Sequence, residues 1–177
     1  MKPSLLDYTQ KELIEIIKPK FRVKQIFGWL YHNYASSYED MKNIPKSLKE
    51  ELASKYVVNP VKIINKEISN DGTIKYLLEL QDGKTMEAVW LKMKDDSFDE
   101  DGKLIHEARY TICVSTQVGC KVGCSFCLTA KGGFTRDLTA GEIVAQVVTL
   151  KKDNNHKHNR KINIVYMGMG EPLDNLD

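Results

Sequence analysis

Cys120, Cys124 and Cys127 place three of the chain's four cysteines within eight residues, spaced C-x3-C-x2-C, and no other feature restricts the chain as much. Thiolates are soft ligands, and this crowding suits an iron–sulfur cluster or zinc. Three thiolates can hold three corners of a cubane cluster and leave its fourth iron open to a substrate or cofactor, as the open position of a catalytic zinc is. Gly119 and Gly123 have no Cβ, so the loop can bend sharply and turn backbone N–H groups toward the sulfurs. The competing reading is half of a zinc site with Cys124 and Cys127 as its knuckle. That site needs a second ligand pair, and His156 and His158, two residues apart in a charged run, do not have the spacing to supply it. The spacing therefore favours the cluster.

A length of 177 residues allows one domain or two small ones, and 42% hydrophobic with 28% charged residues is an ordinary globular balance. No apolar run approaches the roughly 18 residues of a membrane span. The N-terminus carries no long apolar stretch of the signal-peptide kind. Clustered cysteines without an export signal point to a reducing, cytoplasmic setting and to ligand work rather than disulfides. A net charge of +2 does not advertise nucleic-acid binding, so any RNA contact has to come from local patches.

The first sixty residues read as a small helical domain (1–60). Thr9-Gln10-Lys11-Glu12 is a capping box followed by Leu13, Ile16 and Ile17, and Pro19 closes that helix. Val23, Ile26, Phe27, Leu30 and Tyr34 recur at helical spacing and predict a second helix over about 22–34. A third begins near Pro45 and buries Leu48 and Leu52. Lys20, Arg22, Lys24, Lys42, Lys46 and Lys49 dot this region, either as solvated helix faces or as phosphate contacts.

From Val61 the period changes to two. Ile74, Tyr76, Leu78 and Leu80, then Met86, Ala88 and Trp90, alternate with their neighbours across the turn signals Asn70-Asp71-Gly72 and Gln81-Asp82-Gly83. This predicts an antiparallel meander over 61–109, with 95–102 as an acidic mobile loop held away from phosphate. A strand over 110–115, a helix behind the capping box Thr139–Glu142 and an apolar strand over 162–167 make one βαβ unit in 110–177. The helix is expected to bury Ile143, Val144, Val147, Val148 and Leu150. The fold class is thus α+β followed by the start of α/β.

Gly168, Gly170 and Glu171 follow the last strand, at the carboxyl end where open α/β sheets bind ligands. Glycines there allow close backbone approach to a ligand, and Glu171 can accept a hydrogen bond from an amino group. A plain tight turn is the alternative. Cys113 lies on a strand face with Thr111 and Ser115, opposite Ile112 and Val114. A lone strand cysteine is usually a small core hydrophobe, but this face is small and partly polar and could line a cavity.

Three stretches carry a family resemblance: Cys113-Val114-Ser115-Thr116-Gln117-Val118-Gly119-Cys120, the segment Cys127 to Phe134, and Gly168-Met169-Gly170-Glu171-Pro172. With the C-x3-C-x2-C loop and Phe126 before its last cysteine, they resemble the RlmN/Cfr family of radical S-adenosylmethionine RNA methyltransferases. The resemblance spans nearly the whole chain, is most specific over 113–173 and is looser before Met86. Pro172 after Glu171 and the segment behind the cluster loop favour the branch acting on adenosine C2 over the branch acting on C8.

That resemblance implies a [4Fe-4S] cluster on Cys120, Cys124 and Cys127, with S-adenosyl-L-methionine at its open iron. It implies that Phe126 sits near the cofactor's adenine, or packs at the cluster rim, and that Gly168, Gly170 and Glu171 bind the cofactor. It also implies two catalytic roles, with Cys113 resolving an RNA-linked intermediate and Glu87 accepting a proton. The Glu87–Cys113 separation is longer than the family pattern because of the acidic insertion, and an exposed strand carboxylate is the alternative for Glu87. The reaction makes chemical sense, because adenine C2 is a poor nucleophile that a carbon radical can nevertheless attack, and cofactors supply such radicals. Implied partners are ribosomal RNA and tRNA, bound partly by the N-terminal helices, and an electron donor such as flavodoxin or ferredoxin. The full-length protein is expected to be a monomer that does not associate with membranes. The family's methyl-carrying cysteine has no counterpart among the four cysteines, and its partial (β/α) barrel would lie mostly beyond the single βαβ unit. The expectation is an N-terminal half that is inactive by itself. The other class of reading is a non-catalytic RNA-binding or iron–sulfur module; a simple electron carrier would leave 168–172 without a purpose.

Overall fold

The computed structural model describes residues 1–176. In chain order the elements are α1 (Gln10–Ile16), α2 (Phe21–Tyr31), α3 (Lys46–Lys55), β1 (Val61–Ile68), β2 (Ile74–Leu80), β3 (Thr85–Lys94), β4 (Ser97–Phe98), β5 (Leu104–His106), β6 (Arg109–Cys113), β7 (Gln117–Gly119), α4 (Leu128–Lys131), β8 (Phe134–Asp137), α5 (Ala140–Asp153) and β9 (Asn163–Val165). They divide into two compact units.

The first unit comprises Met1–Lys62, Glu79–Lys84 and Leu138–His158. Two of its helices, α1 and α5, start where the sequence predicts because the side chains that satisfy their free N–H groups are local, whereas α2 and α3 carry no side-chain cap. Thr9 and Glu12 form a reciprocal capping box on α1, and Thr139 and Glu142 do the same on α5. Leu13, Ile17, Val23, Ile26, Leu30 and Leu52 are buried, while Leu48 is half-buried. The second helix stops at Tyr31, and Tyr34 lies beyond it with φ 51°. Helix α5 buries Gly141, Glu142, Ala145, Gln146, Val148 and Leu150, so its inward face is rotated from the expected apolar stripe; Ile143, Val144 and Val147 are only half-buried. A specific contact accounts for the rotation. The Gly141 N–H donates to the Asp7 carboxylate at 2.8 Å, which holds the first turn of α5 against the 3-10 turn Leu5–Asp7.

The second unit comprises Ile63–Leu78, Thr85–Asp137 and the segment from Asn159 onward. It holds a five-stranded sheet in the order β1-β2-β3-β6-β9. Tight turns with left-handed Gly72 and Gly83 join the first three strands, β3 and β6 are antiparallel, and β6 and β9 are parallel with Cys113 opposite Val165. One sheet face is closed by the fully buried Tyr76, Leu78, Met86, Ala88, Trp90 and Ile112. Two expectations are corrected here. Residues 95–102 are not a free loop, because β4 and β5 pair around a turn in which the Asp99 N–H donates to the Lys103 carbonyl at 2.9 Å. The strand expected over 162–167 spans only 163–165 and is not buried: Ile164, Tyr166 and Met167 are exposed because β9 is the sheet's edge. A second pair, β7 with β8, carries the cysteine loop.

Candidate metal and cofactor site

Strands β7 and β8 run antiparallel with Gln117 opposite Asp137, so residues 120–133 form one excursion between two paired strands. Gly119 starts it at φ 81°, and any Cβ there would run into the Gly133 carbonyl. That same carbonyl accepts the Cys120 N–H at 3.1 Å. The Cys127 N–H donates to the Cys124 carbonyl at 3.1 Å, and Cys127 is the N-cap of α4. There the Ala130 amide, assisted by Thr129, hydrogen-bonds the sulfur and holds the Cys127 thiol below the usual range. All four cysteines are free; the three of the loop are half-exposed, and Phe126 is 88% exposed. Among the described residues no three His, Cys, Asp or Glu side chains are already gathered as a metal cage. As a donor set the loop nevertheless fits a soft metal group: three unoxidised thiols on one short segment, one of them biased toward thiolate.

Cys113 and Glu87 lie on the same sheet face. Val89 pairs with Cys113, and side chains opposite one another or two residues apart along a strand share a face. Burial pushes the Cys113 thiol up, partly offset by the Met167 amide. The Glu87 carboxylate is half-exposed and pairs with Lys75 at 3.5 Å, and Lys75 also reaches Glu67 at 3.4 Å. These two carboxylates, Glu87 foremost, raise the Lys75 ammonium above its usual range. Lys75 was not among the sequence candidates, because it is twelve residues from Glu87 and becomes its neighbour only through strand pairing.

The turn after β9 is held against the strand end that leads into the cysteine loop. The Gly168 N–H donates to the Val114 carbonyl at 3.1 Å, and the Thr116 N–H donates to the Met169 carbonyl at 2.8 Å. Ser115 bridges both sites: its hydroxyl donates to the Glu87 carbonyl at 2.6 Å and accepts the Met169 N–H at 2.9 Å. Gly170, at φ 100°, leaves room for Gln117, whose Cβ would be 2.6 Å from a Cβ placed there. The Glu171 N–H donates to Gln117 Oε1 at 3.1 Å, while the Glu171 carboxylate caps the 3-10 turn Pro172–Asp174 through the Leu173 N–H. The structure thus brings Glu87, Cys113 and the 168–171 backbone together around β6. From the sequence, Ser115 is placed only as a neighbour of Cys113 on the strand face, and Gln117 is not among the candidates; the signal for both is the polar run Ser115-Thr116-Gln117 between apolar residues.

In the first unit, Arg22 lies 4.7 Å over the Phe21 ring and donates to Gln25 and the Asn43 carbonyl, and Lys46 pairs with Glu50 at 3.8 Å. Lys20, Lys24 and Lys42 are exposed.

Comparison with known proteins bears on the family of the chain. Residues 4–58 match the family model described as the ribosomal RNA large subunit methyltransferase N-terminal domain. The chain is 78% identical over 177 residues to the dual-specificity RNA methyltransferase RlmN of Sulfurimonas denitrificans, covering all of this chain and 50% of that protein. It is 59% identical over 175 residues to the protein of the same name from Aliarcobacter butzleri, covering 99% of this chain and 49% of the other. A crystal structure of a radical SAM methyltransferase from Sphaerobacter thermophilus superposes with a TM-score of 0.83 at 41% identity, over 98% of this chain and 49% of that one. The chain therefore spans about half the length of the relatives it matches. No helix among the described residues is long and apolar enough to cross a membrane. By its match along its whole length, the chain belongs to the RlmN family and corresponds to the N-terminal part of its members.

Proposed function

We propose that this chain is the part of an RNA adenosine methyltransferase that holds the iron–sulfur cluster and one wall of the active site. The observation that carries the reading is the sheet register, which sets Glu87 and Cys113 on one face beside the hydrogen-bonded 168–171 turn. Cys120, Cys124 and Cys127 would hold a [4Fe-4S] cluster, and their loop would close around it, since metal binding and local folding are coupled. When bound, the cluster and S-adenosyl-L-methionine supply the radical chemistry that an electron-poor ring carbon requires. The chain's own residues do the rest. The 168–171 backbone and Glu171 receive the amino group of the cofactor, and Phe126 offers an aromatic face to its adenine. Glu87 takes a proton from the substrate carbon, and Lys75 keeps that carboxylate paired and oriented. Cys113, buried and largely protonated, is kept from reacting until substrate reaches it.

Under this reading the substrates are ribosomal RNA and tRNA, modified at adenosine C2 in the cytoplasm, with a flavodoxin- or ferredoxin-like electron donor. The strands β6 and β9 are the opening of a partial (β/α) barrel, and the three segments 1–60, 61–109 and 110–177 serve as RNA-binding domain, β extension and start of the radical core. The chain by itself does not methylate RNA, because its four cysteines are all assigned and none remains to carry the methyl group.

Anaerobic reconstitution tests the cluster assignment. About four irons should bind per chain, uptake should vanish in Cys120→Ala, Cys124→Ala or Cys127→Ala, and it should persist in Cys113→Ala. Equal loss in Cys113→Ala would put that residue among the ligands and undo the assignment. With reductant, S-adenosylmethionine and unmethylated ribosomal RNA added, mass spectrometry should find neither 2-methyl- nor 8-methyladenosine made by this chain. Either product would overturn the assignment of the four cysteines, and its isomer would identify the branch.

A further inference from the structure

Four side chains between the cysteine loop and the 168–174 turn form a closed polar ring. Gln117, fully buried on β7, donates from Nε2 to Asp137 at 2.7 Å and to Asp174 at 3.4 Å. Lys121, the residue after the first cysteine of the loop, returns to the same two carboxylates, at 3.6 Å from Asp137 and 3.0 Å from Asp174. Its ammonium also lies 4.7 Å from the centre of the Phe134 ring. Two further hydrogen bonds extend the ring into the turn: Gln117 Oε1 accepts the Glu171 N–H at 3.1 Å, and Asn175 Nδ2 donates to the Thr116 carbonyl at 2.8 Å.

The ring spans three segments far apart in the chain. Lys121 belongs to the cysteine loop, Gln117 and Asp137 to its supporting strands, and Asp174 to the turn that would receive the cofactor. Neither segment is fixed by apolar packing, since Val122, Phe126 and Leu128 on one side and Leu173 and Leu176 on the other are exposed. Polar ties are therefore what set the position of each. Gln117 is suited to its place because a carboxamide has both an acceptor for the Glu171 amide and donors for the two aspartates. Gly170 is part of the same device, as it vacates the space that the Gln117 side chain fills.

We infer that Gln117 and Lys121 are positioning residues that make the cysteine loop and the 168–174 turn move as one body, so that gathering the thiols around a cluster also sets the backbone facing the cofactor. The inferred consequence for cofactor binding rests on the proposed function; the mechanical coupling does not. Coupling of this kind is reciprocal, so a disturbance at either end must be felt at the other.

The test is amide hydrogen exchange on the metal-free chain, followed by anaerobic reconstitution. Lys121→Met and Asp174→Asn alter only exposed partners, so both should fold. Lys121→Met should speed exchange at Glu171 and Asp174, and Asp174→Asn should speed it at Cys120 and Cys127, each by about two- to fivefold, the range expected for a partly exposed ion pair. Lys121→Arg should restore most of the protection. Gln117→Glu, which keeps the shape but adds a like charge between the two aspartates, should have the larger effect on both segments. After reconstitution, Lys121→Met should keep its iron yet bind S-adenosylmethionine more weakly. Exchange changes confined to the altered segment, with cofactor binding unchanged, would overturn the coupling. If the wild-type chain takes up no iron, the reading of the site fails, and the exchange measurements still decide the coupling.

Discussion

Cys113 and Cys127 show how placement separates two chemically identical side chains. Cys113 is buried on β6, where desolvation raises its thiol, while Cys127 is half-exposed and receives amide hydrogen bonds that lower its thiol. Because the thiolate is the reactive species, iodoacetamide at neutral pH should label Cys127 well before Cys113 in the metal-free chain. Peptide mass spectrometry over a time course reads this directly, and faster labelling of Cys113 would contradict both environments. The three closely spaced cysteines are legible in the sequence as a candidate ligand set because their spacing is local. Gln117, Lys121 and Lys75 are not, since each acquires its role from partners brought in by strand pairing or by the 168–174 turn. Glu87 is intermediate: the sequence identifies the carboxylate, but only the register of β3 on β6 puts it on the face of Cys113.

At the scale of elements, the caps and the alternating strands follow from chain-local chemistry. Thr139→Ala should lower stability by about 1 kcal/mol through loss of the α5 cap, read as a lower denaturation midpoint with unchanged slope. The buried face of α5 was less legible. Its five apolar candidates cover too wide an arc to fix a rotation, and the Asp7–Gly141 hydrogen bond decides it. The β4–β5 hairpin was hidden by its charge, although Asp101-Gly102 is an ordinary turn signal. Beyond the N-terminal helices, Lys152 of α5 donates to Asp40 at 3.2 Å and to Ser36 at 2.8 Å. Burial pushes the Asp40 carboxyl up, but the Ser36 amide, the Lys152 ammonium and the Ser37 amide outweigh it and hold the group below the usual carboxylate range. A carboxyl lowered in the folded state adds stability above its unfolded pKa and loses it as pH falls through the folded value. Asp40→Asn should therefore be less stable than wild type at neutral pH, with the difference shrinking as acid is added. A difference that grows in acid would reverse the assignment.

For the whole molecule, the sheet ends at β9, with Ile164, Tyr166 and Met167 exposed, and Phe126 and Leu128 are exposed on the cysteine loop. Open edges and apolar patches of this kind favour association. Light scattering should rise with protein concentration, and Met167→Lys should reduce the rise. The antiparallel part of the fold and one parallel strand pair were legible; the extent of burial on β9 was not, because an apolar strand reads the same at a sheet's edge as at its centre. The central claim is the proposed one, that Cys120, Cys124 and Cys127 would hold a cluster and that the 168–171 turn would receive the cofactor. Electron paramagnetic resonance of the reduced, reconstituted chain, recorded with and without S-adenosylmethionine, tests it most directly. The account predicts a cubane-cluster signal that changes when the cofactor is added and does so less in Gly170→Ala, where Gln117 is displaced. Identical spectra with and without the cofactor, or no cluster signal at all, would contradict it.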